Sequence, residues 1–254
     1  MRGLAIINFV GTTGDGLDFS GGGTNIITGN LIGIDQSSVD RGNGGDGIHI
    51  VGSPANVIGG TSPGDRNVIS GNAGQGLDIS GATSTGHQIV GNLIGTDLAG
   101  IADVGNTSDG IAITTAGANT IGGATSAARN LISGNNGDGV AIASGGAGTL
   151  IQNNYLGTDV SGTLDLGNTG NGISFTAASN SVITANLISG NNNDGVELNG
   201  LNSSNNIVAG NLIGTDISGI GGIANGVNGV LITSNARFNQ IGGPGNANII
   251  AFNG

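Results

Sequence analysis

Residues 109–135 read DGIAITTAGANTIGGATSAARNLISGN. They hold three apolar runs: Ile111-Ala112-Ile113, Thr120-Ile121 and Leu131-Ile132. Each run is short and alternating, and Gly, Asn, Asp, Ser and Thr clusters separate them. The pattern predicts strand, turn, strand, turn, strand. No segment carries a helical i, i+3, i+4 pattern of useful length.

The unit recurs along the chain. Its opening string appears at Asp15, Asp46, Gln75, Asp109, Asp138, Asn171, Asp194 and Asn228. Its closing string alternates between two forms. One is NLIGID from Asn30, NLIGTD from Asn92 and Asn211, and NYLGTD from Asn154. The other is RNVISGN from Arg66, RNLISGN from Arg129, NLISGN from Asn186 and NIIAFNG from Asn248. The elementary period is about 30 residues and the paired period about 60. Strands this short bury nothing alone, so neighbours must stack. The expected fold is all-β: a parallel β-helix of about eight coils with three short strands each. At ~4.8 Å per coil it forms a rod roughly 38 Å long. One domain spans residues 1–254. Its lack of polar caps leads us to expect a piece of a longer repeat protein, or end-to-end self-association.

Composition agrees. Gly supplies 55 of 254 residues, Cys and Trp are absent, and the net charge is −11. Coil corners need positive φ, which Gly supplies freely and Asn tolerates. Asn30, Asn67, Asn92, Asn130, Asn154, Asn186, Asn211 and Asn248 fall at one corner and can stack amide on amide. A Cys-based metal site or disulfide is excluded. Nucleic acid is disfavoured as a partner, because all five basic residues are Arg and the chain is strongly acidic. No apolar run is long enough to span a membrane, and no signal peptide is visible.

The combination GNLIGTDxxG…DGI…NxIGG…RNxISGN resembles the right-handed parallel β-helix repeats of the pectate-lyase-like superfamily. It is similar above all to repeats of large secreted or surface-anchored bacterial proteins. The likeness runs over essentially the whole chain. It implies the hand of the helix and an extracellular or cell-surface setting. It also implies that an active site, where one exists, lies on the sheet of the opening strings. The same coil carries lyases, hydrolases, adhesins and inert stalks, so activity has to be argued from the site.

Alternation turns the middle residue of each opening string outward. That row is Asp18, His49, Asp78, Ala112, Ala141, Ser174, Glu197 and Leu231. Asp18, His49 and Asp78 form the catalytic candidate. The two carboxylates stand roughly 9.6 Å apart by strand spacing, near the ~6.5–9.5 Å of inverting glycosidases. Three points weigh against catalysis: no Lys to neutralise a uronate, no aromatic on this face, and the ordinary polarity of a solvated sheet.

Asp35, Asp97, Asp159 and Asp216 recur in the long loops, near Asp103, Asn106, Asp165 and Asn168. Calcium is the cation such oxygens suit; the competing role is an Asp that caps its own turn. No other cofactor is expected. The repeated Asp and Asn before each opening Gly read as a turn requirement. Arg66 and Arg129 read as donors to nearby turns, His87 as a surface residue and Tyr155 as packing. The row Leu31, Val68, Leu93, Leu131, Tyr155, Leu187, Leu212 and Ile249 has the outward phase; burial by a bend at the Asn corner is expected. Thr96, Thr158 and Thr215, interrupted by Ile34, make a sparse array of the kind that binds ice. The reading that joins these features is a non-enzymatic surface module: a stalk, spacer or adhesive face toward polysaccharide or another cell-surface ligand. A polysaccharide lyase or hydrolase is the alternative, and an ice-binding surface a further one.

Overall fold

The computed structural model describes residues 1–11 and 13–254. It is a right-handed parallel β-helix. Three all-parallel sheets of nine, eight and eight strands run its length, and each strand pairs with its equivalents one coil before and after. The first sheet holds the opening strings, from Leu17–Ser20 to Val230–Thr233. The second holds the middle runs, from Ile26–Ile27 to Gln240–Ile241. The third holds the closing strings, from Ala5–Ile6 to Ile249–Ile250. Among the described residues there is no α-helix, only short 3-10 turns at Pro63–Asp65 and Ser126–Ala128.

The inward residues fill the prism with aliphatic side chains. Ile58, Ile89, Ile121 and Ile151 stack from the second sheet, and Ile69, Ile94, Ile132 and Leu156 from the third, all fully buried. Phe175 is the largest side chain completely enclosed.

Side-chain ladders run along the axis. In the corner ladder each Asn, from Asn30 to Asn211, donates its Nδ2 to the Oδ1 of the next Asn at 2.9–3.1 Å. A second Asn ladder, legible in the sequence only in hindsight, runs Asn43, Asn72, Asn106, Asn135, Asn168, Asn191, Asn225, Asn253 at 2.8–2.9 Å. Asn106 and Asn168 are therefore fully buried ladder members rather than loop oxygens for a cation. The residues before the opening Gly form a third ladder. Each side-chain oxygen accepts the next coil's backbone N–H, from Asp15 to Asp46 and Asp46 to Gln75 through Asp194 to Asn228.

The outward apolar row of the third sheet is buried, but by a different cause from a corner bend. Each long loop folds as a small hairpin, bridged at Ile34–Asp40, Thr96–Asp103, Thr158–Asp165 and Thr215–Gly222. The loops lie over the row. Val68, Leu93, Leu131, Tyr155 and Leu187 form a separate cluster with Ile34, against which Leu98 and Val104 pack. At the end of the row Ile249 stays exposed.

Candidate functional site

The first sheet brings the expected column together. Strand register places Asp18 beside His49 and His49 beside Asp78. His49 Nδ1 faces Asp18 Oδ1 at 3.7 Å and Asp15 Oδ2 at 3.9 Å, and its Nε2 faces Asp78 Oδ2 at 3.6 Å. Asp15 joins the site although it belongs to the third ladder; so does Asp46, whose charge acts on Asp78. Both precede their strands, Leu17–Ser20 and Ile48–Val51, so alternation does not set their direction and only the stacking of coils brings them to the column.

The electrostatics are those of crowded carboxylates. Burial, then the Asp46 charge, pushes the Asp78 carboxyl up to about 6, against the pull of His49. Burial likewise raises Asp46. Asp15, Asp18 and His49 offer ligand atoms that all lie within 4.8 Å of one another, which suits a divalent ion taking mixed oxygen and nitrogen donors. Among the described residues the long loops do not cover the column. The Asp18 side chain is 53% exposed, and the long loops lie on the third sheet instead.

The loop aspartates are not brought together; each serves its own hairpin. Asp35 Oδ1 accepts the N–H of Ser37 and Val39. Asp97 Oδ1 accepts those of Ile101 and Ala102. Asp159 Oδ1 accepts those of Thr163 and Leu164, and Asp216 Oδ1 those of Ser218, Ile220 and Gly221. The N–H of Val39 holds the Asp35 carboxyl below its usual range, and the Ser218 hydroxyl does the same for Asp216. At Asp159 burial opposes the shift, but the Ser161 hydroxyl and loop N–H groups outweigh it.

Thr96, Thr158, Thr215 and Ile34 are fully buried beneath the hairpins. Each Thr hydroxyl donates to the carbonyl of the following Asp. That array cannot meet ice. His87 is not on the surface: it is 1% exposed and stands in an Asn column of the second sheet's corner. Its Nδ1 accepts the Asn56 N–H, and its own N–H donates to Asn119 Oδ1. Its Nε2 is buried without a partner. Arg66 and Arg129 do donate to turns one coil onward, at Gly91 O and Asn153 O. Arg129 also stacks 4.0 Å from the Tyr155 ring centroid.

No family model matches the chain, and no curated protein matches it. Solved structures share its fold. The A-module of the mannuronan C-5 epimerase AlgE4 of Azotobacter vinelandii aligns with a TM-score of 0.59 at 16% identity, over 90% of this chain and 54% of that one. The periplasmic alginate epimerase AlgG aligns with a TM-score of 0.54 at 18% identity, over 87% of this chain and 49% of that one. The chain thus spans about half the length of each. At these identities the likeness concerns the fold.

Proposed function

We propose that the chain is a rigid, non-enzymatic repeat module that works outside the cell as a stalk, spacer or adhesive surface. One observation carries this reading. The polar residues that recur are spent on coil-to-coil ladders and hairpin caps, and the long loops lie on the third sheet rather than on the sheet with the carboxylate–histidine column. A catalytic site needs water excluded and groups aimed at a bound substrate; here His49 and Asp78 are half-buried while Asp18 is exposed, and the long loops that could cover the column lie on another sheet. The fold suits surface and carbohydrate-related roles alike.

A second reading has one observation in its favour. The Asp78 carboxyl, raised to about 6, lies in the range of a general acid, with Asp18 two strands away on the same row. The structural relatives named for mannuronan and alginate make an acidic polysaccharide the substrate to try. Incubation with neutral and acidic polysaccharides, followed by a reducing-end assay, separates the two. The module reading expects no new ends. Release that disappears in Asp18→Ala and Asp78→Ala would establish the enzyme instead.

A further inference from the structure

Among the described residues three arginines lack a carboxylate partner: Arg237, which stands alone over the Phe238 ring, and the pair Arg66 and Arg129, which share one cavity. Arg2 pairs with Asp65 and Arg41 with Asp35. Arg66 and Arg129 pair with no carboxylate among the described residues, in a chain of net charge −11. Both line one cavity of about 90 Å³, together with Ser126 and Tyr155. Arg66 also borders an adjoining open hollow of about 330 Å³ lined by Gly60, Thr61, Ser62 and Pro63. The hollow and the cavity share Arg66 as a wall and border residues of both 3-10 turns, Pro63 and Ser126-Ala127; this stretch of surface is the furrow.

Each guanidinium is anchored to a turn through Nε. Arg66 spends Nε on Gly91 O, and among the described hydrogen bonds its two Nη groups have no acceptor. Arg129 spends Nε and Nη2 on Asn153 and rests on the Tyr155 ring, which leaves Nη1. Register separates the closing strands of the two arginines by two steps, Val68 to Leu93 to Leu131. That is roughly 9.6 Å by strand spacing. Both side chains lean one coil onward, so the separation persists at their heads. A single small oxyanion cannot bridge it. A pyranose ring with one carboxylate can: the carboxylate meets the Arg66 fork, and ring hydroxyls meet Arg129 Nη1 and the Ser126 hydroxyl.

We infer that the furrow between Arg66 and Arg129 binds a sugar residue carrying a single carboxylate. The net charge restricts the ligand further. A polyanion meets the repulsion of the whole chain, whereas one acidic residue within an otherwise neutral glycan meets mainly the local pair. The site lies at the junction of the second and third sheets, away from the Asp18 column. It stands independently of the module reading.

Tyr155 is the single tyrosine and Trp is absent, so intrinsic fluorescence reports on this furrow. The chain is titrated with methyl glucuronide and with methyl glucoside at constant ionic strength. Methyl glucuronide should give a saturable change with Kd on the order of 1 mM, about −4 kcal/mol, and methyl glucoside none. Arg66 is exposed, so Arg66→Gln should fold as the parent does, checked by its melting temperature, and weaken binding about tenfold. Asp18→Ala and Asp78→Ala should leave binding unchanged. Equal response to both sugars, a response to inorganic sulfate alone, or full binding by Arg66→Gln overturns the inference.

Discussion

Replacing His87 with Asn should stabilise the protein. The wild-type imidazole accepts at Nδ1, so its proton sits on Nε2, which is buried without a hydrogen bond of good geometry although the Ser84 backbone acts on the ring. Leaving a neutral donor unsatisfied costs about 1–3 kcal/mol. Asn occupies the equivalent position one coil to each side. There Asn56 Nδ2 reaches Ser53 O and Asn119 Nδ2 reaches Ala116 O, in both cases three residues back. An Asn at position 87 therefore has Ser84 O within the same reach and still accepts the Asn56 N–H. The smaller side chain loses some contacts, at ~0.1–0.2 kcal/mol per atom pair. The net gain expected is about 1–2 kcal/mol, or about 2–8 °C in Tm for a chain of this size.

The pH dependence sharpens this test. Burial lowers the His87 pKa from 6.5. The unfolded chain then binds the proton more readily, so the stability tied to neutral His87 is intact above 6.5 and is lost as pH falls below it. Asn does not titrate. The Tm advantage of His87→Asn, followed by circular dichroism, should widen between pH 7.5 and 5.5. A variant that melts below wild type at pH 7.5, or a Tm difference that does not change with pH, would refute the reasoning.

Asp138 should behave in the opposite sense. Burial pushes it up to about 6 from 3.8, so its protonated form contributes stability below 3.8 that is lost as pH rises through about 6. Asp138→Asn keeps the acceptor for the Asn171 N–H and should raise Tm at pH 7, with the gain fading by pH 4. Leu131→Ala opens a hole beneath the long loops and should cost about 2–5 kcal/mol in chemical denaturation; a loss below 1 kcal/mol would mean the loops do not cover this row. Gly95 holds φ +89, and a Cβ there would run into Ser133 O. Gly95→Ala should cost about 2–4 kcal/mol on backbone strain and crowding together, and an unchanged Tm would contradict the corner geometry.

The repeat spacing made the fold legible, because eight copies of one pattern leave few ways to bury three short strands each. The Asp18–His49–Asp78 column was legible for the same reason, since alternation alone sets its phase. What local pattern could not supply was the company each residue keeps across coils. The run Asn43, Asn72, Asn106 looks like loop polarity until the coils stack. The Thr96 row looks exposed until a hairpin from its own coil closes over it. His87 reads as a surface residue because its column is otherwise Asn, Thr and Ser, and nothing in its own segment announces that position as interior. The Asp15 and Asp46 contribution to the column depends on stacking in the same way.

The central claim is that the Asp18–His49–Asp78 column on the first sheet performs no chemistry. The direct test compares wild type with the triple variant Asp18→Ala, His49→Ala, Asp78→Ala against alginate and a set of neutral and acidic polysaccharides across pH 5–8. Chain cleavage is followed by reducing ends and by the ultraviolet absorbance of unsaturated ends, and inversion of uronate configuration by proton NMR. The account predicts no product from either protein. Any product formed by the wild type and lost in the triple variant, with its Tm retained, would contradict it.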